Sequence, residues 1–133
     1  MVTKIAKVVF LVFGAFAIMF GVVTLVSPSA LHSEAARSLP FMHNLREQGA
    51  AISFVGLMML WCSFNYEQSR MVHYLLTFFT LLVSAIHWYD YSIGYLPLIS
   101  PIYNTVPFLV FASLALARMQ TGVRGDEVRN TTP

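Results

Sequence analysis

The chain is short of charge, of cysteine and of every compact catalytic signature, and each shortage removes a class of protein. Only 11% of its 133 residues are charged, where an ordinary soluble domain carries roughly 25%. A single cysteine excludes a disulfide scaffold, a four-cysteine zinc module and a dithiol couple within one chain. Eight Lys and Arg against six Asp and Glu leave a net charge of +2, too small and too scattered for the basic stripe of a nucleic-acid surface. No phosphate-binding glycine loop, His-Glu-x-x-His or Gly-x-Ser-x-Gly pattern occurs, so the common phosphate, metalloprotease and hydrolase signatures are missing. What fills the chain is apolar: 57% hydrophobic residues and a mean hydropathy of +0.68. That is the composition of a membrane protein of one domain.

The few ionisable residues divide the chain into four apolar stretches. Between Lys7 and His32 lie 24 residues without one, and between Glu47 and Glu67 lie 19. The 19 between Arg70 and Asp90 carry only His73 and His87, and the 27 from Tyr91 to Ala117 carry no charge. About 20 helical residues cross about 30 Å of hydrocarbon. The spacing therefore predicts helices over 4–27, 45–64, 69–91 and 101–119, a transmembrane domain over 1–120 and a disordered cytoplasmic tail over 121–133. The first run, some 20 residues long, exceeds the roughly 7–15 of a signal-peptide core and reads as a retained span. Four spans put both termini on one side. That side holds Lys4, Lys7, Arg70, Arg118, Arg124 and Arg129 against Arg37 and Arg46 on the other, which makes it cytoplasmic by the positive-inside rule. The expected fold is all-α, an antiparallel bundle of four transmembrane helices with both termini cytoplasmic.

Helical periodicity assigns faces to these spans. Gly14, Ala17, Gly21 and Thr24 share one face of the first, and Gly49, Ser53, Gly56 and Ser63 one face of the second. Small residues allow close backbone approach in lipid, so both faces should pack inward. In the third span His73, Thr77, Thr80, Ser84, His87 and Tyr91 form one polar stripe, which should avoid lipid. It reads as interhelical hydrogen bonding or, less economically, as a polar conduit. Ser100-Pro101 marks the start of the fourth span. Pro107 predicts a kink there or a second start at Asn104-Thr105. Leu31 to Leu39 looks amphipathic and suited to the interface.

Most of the acid–base chemistry collects at the outer face. The third span ends in His87, Trp88, Tyr89, Asp90 and Tyr91, the second begins near His43, Asn44, Arg46 and Glu47, and the fourth adds Tyr103 and Asn104. As an interfacial belt, the aromatic rings anchor at headgroups while Arg46 pairs with Glu47 or Asp90. As a binding cleft, His43, Arg46, Asn104, Trp88, Tyr91 and Tyr103 surround a lipophilic molecule such as a quinone, isoprenoid or lipid, or meet a membrane partner. As a catalytic site, His87 and Asp90 at i and i+3, tuned by Glu47, perform proton transfer on an apolar substrate: isomerisation, hydration or epoxide opening. His43, Glu47, His87 and Asp90 as metal ligands form the least compact arrangement. Cys62 reads as packing. No cofactor is specified.

The Gly-punctuated first helix, Asn44-Leu45-Arg46-Glu47-Gln48-Gly49 before the second, and Asp90, Gly94 and Pro97 before a proline-bearing fourth carry a resemblance. Over about residues 5–118 the chain resembles the small four-helix DoxX-like membrane proteins of bacteria. The resemblance implies a multi-pass protein of the bacterial inner membrane and a subunit of a respiratory or quinone-linked oxidoreductase complex. It implies no particular site residue.

Overall fold

A computed structural model describes residues 2–31 and 38–130, with side chains as far as Gln120. Among these residues all regular secondary structure is helical: α1 (Val2–Val26), α2 (Pro28–Leu31), α3 (Leu39–Phe64), α4 (Arg70–Ser92) and α5 (Ile99–Asn130). The chain divides into two compact units, 3–69 and 70–133, the latter with the first two residues. Most of the interface segment expected from Leu31 to Leu39 lies outside the described residues, as do the side chains of the expected tail.

In the first unit α1 and α3 run antiparallel, and glycine is the reason they lie so close. A Cβ on Gly14 would come 3.0 Å from the Gly56 carbonyl, and one on Gly21 would come 2.8 Å from that of Gly49. The Ser63 hydroxyl donates to the Lys7 carbonyl at 2.8 Å, so the contacts pair 7 with 63, 14 with 56 and 21 with 49. Each step is seven residues on both helices. Such a repeat keeps one face toward its partner when helices coil left-handedly. Gly14, Gly21, Thr24, Gly49, Gly56 and Ser63 are all buried, so the small faces legible in the sequence pack together. Phe10 and Tyr66, with ring centroids 6.1 Å apart, close the end of the seam near Ser63.

α3 begins at Leu39, six residues before the expected 45. Ser38 is its N-cap, with its hydroxyl accepting from the Phe41 N–H at 3.5 Å, and Pro40 stands in the first turn, where a missing N–H costs nothing. Arg46 and Glu47 thus lie inside the helix, which then ends at Phe64. Only 48–64 remain as an uncharged helical run.

The second unit is the α4–α5 hairpin. α4 ends in a Schellman motif: the Gly94 N–H bonds the Tyr91 carbonyl at 3.0 Å and the Tyr95 N–H the Asp90 carbonyl at 2.8 Å. Gly94 has φ +79°, the left-handed conformation this cap requires. α5 starts at Ile99 and continues through Pro107, with no second start at Asn104. Pro101 falls within its first turn, among N–H groups that have no intrahelical acceptor in any case.

Three helices are long and apolar enough to cross a membrane: α1, α4 and residues 99–120 of α5. Each also turns large apolar side chains outward, with Phe16, Met19, Phe78, Ile86, Leu109 and Leu116 all more than half exposed. A water-soluble fold buries such groups, whereas lipid accommodates them. The chain is a membrane protein by this measure.

Candidate functional site at the end of the α4–α5 hairpin

The polar stripe on α4 forms the seam of the hairpin. His73, fully buried, places Nε2 3.1 Å from the Phe111 carbonyl of α5. Thr77 and Thr80 donate to carbonyls of their own helix, those of His73 and Thr77, which removes the need for a partner across the seam. Ser84 and His87 again reach α5. Tyr91 is exposed. The stripe thus joins helices at several levels, as the economical reading anticipates.

Near the loop, two small networks fix the geometry. Thr105 is the hub of the first: its Oγ1 lies 2.7 Å from the Pro101 carbonyl, 2.8 Å from Ser84 Oγ and 3.0 Å from Trp88 Nε1. A hydroxyl has one proton and two acceptor sites. Because the carbonyl can only accept, Thr105 donates to it and accepts from both Ser84 and Trp88, which leaves its hydroxyl saturated. In the second network His87 Nδ1 lies 2.9 Å from Ser100 Oγ, while Asn104 Nδ2 donates to the Ser100 carbonyl at 2.9 Å. Trp88 also meets Tyr91 edge to face, with centroids 6.0 Å apart.

Of the expected site residues, His87, Asp90 and Asn104 are half-buried and Trp88, Tyr91 and Tyr103 exposed. The His87 ring bonds to Ser100 and makes no hydrogen bond to Asp90, although three residues separate them. Among the described residues the Asp90 carboxylate has no hydrogen-bond donor and no ion-pair partner. Asn104 Oδ1 and His87 Nε2 likewise lack a hydrogen-bonding partner there. On α3, in the first unit, His43 and Glu47 form an i,i+4 pair at 3.2 Å with both side chains mostly exposed. Arg46 beside them is exposed. Among the described residues no three His, Cys, Asp or Glu side chains gather as a metal site. Cys62 is buried, its sulfur 4.0 Å from the Ser69 carbonyl.

The pattern of a domain of unknown function, DUF4345, matches residues 5–85, more than half of the chain. The chain belongs to the DUF4345 family. The DUF4345 match takes in the α1–α3 glycine seam, His43, Arg46 and Glu47, and α4 through Ala85. It stops before His87, Trp88 and Asp90, so the hairpin end lies beyond the part on which membership rests. No curated protein and no solved structure matches the chain.

Ser100 and Thr105 are the residues that sequence reasoning undervalued. Ser100 reads as a helix cap and Thr105 as a start signal, yet one orients the imidazole and the other saturates the indole N–H. The available signal was the pairing of a polar stripe on one span with Ser, Asn and Thr at the start of the next.

Proposed function

We propose that this chain is a four-span protein with both termini cytoplasmic, and that the outer end of α4 and α5 takes the polar end of a lipophilic molecule. Quinones, isoprenoids and lipids fit that description, and a membrane partner protein is the other occupant of this reading. One observation carries it. Half-buried His87, Asp90 and Asn104 keep hydrogen-bonding atoms without partners among the described residues, beside exposed Trp88, Tyr91 and Tyr103. These open atoms remain accessible, so a ligand headgroup can take the place of water as their hydrogen-bonding partner. The uncharged run over 48–64 and the close contact with α1 support α3 as a fourth span. The DoxX-like resemblance suggests an oxidoreductase complex as the setting.

A catalytic use of the same residues asks for more. Proton transfer through His87 would run by Nε2, since Ser100 engages Nδ1, and Asp90 would have to act without touching the ring. Binding needs neither condition.

The test is to purify the protein in mild detergent, examine it by native mass spectrometry and extract what it carries. Wild type should retain a lipid, quinone or isoprenoid, or a partner chain, and the His87→Ala/Asn104→Ala double variant should lose most of it. Wild-type protein carrying nothing, with an unchanged double variant, would end the reading.

A further inference from the structure

The charge at this site selects a class of headgroup. Between Arg70 and Arg118, Asp90 is the only charged side chain. It lies in the last turn of α4, half-buried, with no basic residue in that turn. Aligned peptide dipoles place negative partial charge at the C-terminus of α4 and positive partial charge at the N-terminus of α5; both ends meet here and oppose one another, which leaves the Asp90 carboxylate as the full charge at this end of the hairpin. The neighbouring open atoms include further acceptors. Asn104 Oδ1 is an acceptor, and His87 Nε2 becomes one when Nδ1–H donates to Ser100. Asp90 follows His87 by three residues and so shares its flank of the helix, while Ser100 ties His87 to Asn104. Tyr91 and Tyr95, the latter held back on the Asp90 carbonyl by its N–H, put exposed rings at the same level. Acceptors, one negative charge and aromatic rings suit a cationic donor and disfavour a headgroup whose only charge is negative.

We infer that the hairpin end binds an alkylammonium, an amine carried on an apolar chain, with Asp90 as its counter-ion. The inference rests on reading this end as a ligand site. Two sources share the chemistry, the ethanolamine headgroup of a membrane lipid and a free lipophilic amine.

Native mass spectrometry of the full chain in a non-ionic detergent tests it, with dodecylammonium, dodecanol and dodecanoate offered at equal concentration. Wild type should retain the ammonium about tenfold better than the alcohol, as a charge-assisted hydrogen bond in partly buried surroundings implies, and should not select the carboxylate. Asp90→Asn should erase that preference, bringing ammonium retention down to the level of dodecanol in the same variant, while thermal stability stays as it was. If Asp90→Asn does not fold, Asp90→Ser is read in the same way. An ammonium retained no better than dodecanol, or a preference that survives loss of the carboxylate, overturns the inference while the ligand site stands. Retention of no amphiphile at all removes the site as well. In a second arm, phosphatidylethanolamine held in preference to phosphatidylglycerol identifies a lipid source. Dodecylammonium held without either lipid identifies a free amine, and preference for phosphatidylglycerol contradicts the inference.

Discussion

One methyl group is enough to probe the contact between α1 and α3. At Gly21 an added Cβ would lie 2.6 Å from the Ser53 nitrogen and 2.8 Å from the Gly49 oxygen, and at Gly49 it would lie 2.5 Å from the Leu25 nitrogen. These are backbone atoms, which cannot turn aside as a side chain would, so the helices must separate. Gly21→Ala and Gly49→Ala should each cost about 1–3 kcal/mol, the usual range for forcing extra volume into a packed site. Gly14→Ala, with its nearest contacts at 3.0 Å, should cost less. Gly94 is the internal comparison, because a Cβ there meets nothing within 4 Å but φ is +79°. Its alanine variant should lose about 1 kcal/mol through backbone conformation alone. Melting temperatures in one detergent measure the series. If Gly21→Ala melted no earlier than Gly94→Ala, the seam would not be what holds the first unit together.

At the level of paired elements, the α4–α5 hairpin depends on a hydroxyl that receives two donors. Thr105→Val keeps the shape but deprives exposed Trp88 and buried Ser84 of their acceptor, and for Ser84 a polar group stranded away from water costs about 1–3 kcal/mol. Ser84→Ala removes one donor and leaves no orphan on Thr105, so it should cost clearly less. A double-mutant cycle read by thermal unfolding should then give coupling between positions 84 and 105, and strictly additive losses would contradict the hub. This hairpin also shows which parts of the fold the sequence could reveal. The stripe from His73 to His87 was legible because periodicity within one helix decides it, and the small faces of α1 and α3 were legible for the same reason. The Thr105 hub was not, since its partners stand 17 and 21 positions away, and nothing local states the register of two helices. His87 and Asp90 illustrate the same limit. Their i,i+3 spacing suggests a pair, but Ser100 competes for the ring across the hairpin, and only the packed structure reveals the competitor. The start of α3 has a local signal as well, in its Ser38 cap and Pro40. That signal competes with Arg46 and Glu47, whose charges point to a boundary farther inward.

For the whole molecule the open choice is between three crossings and four, and it turns on α3. Its charged first third makes it the weakest spanning candidate by composition, yet its glycines hold it against α1, whose own apolar length is ample to cross. A helix packed antiparallel along a spanning helix over fourteen residues, from Gly49/Gly21 to Ser63/Lys7, shares about 21 Å of its depth at 1.5 Å per residue. That is most of the hydrocarbon thickness of about 30 Å, and Arg46 and Glu47 then fall at the outer boundary, where charge is tolerated. The consequence for topology is discrete. With α3 crossing and the N-terminus cytoplasmic, Ser29 and Tyr95 lie outside while Gln68 and Gln120 lie inside. Without that crossing, Gln68 and Gln120 move outside and Tyr95 moves inside. Because Cys62 is the only native cysteine and is buried, a Cys62→Ser background accepts single cysteines at these four positions. A membrane-impermeant maleimide applied to intact cells should label positions 29 and 95 and spare 68 and 120 until the membrane is opened. Labelling at 68 with protection at 95 would reduce the protein to three spans and move the Asp90 end of the hairpin to the cytoplasmic side.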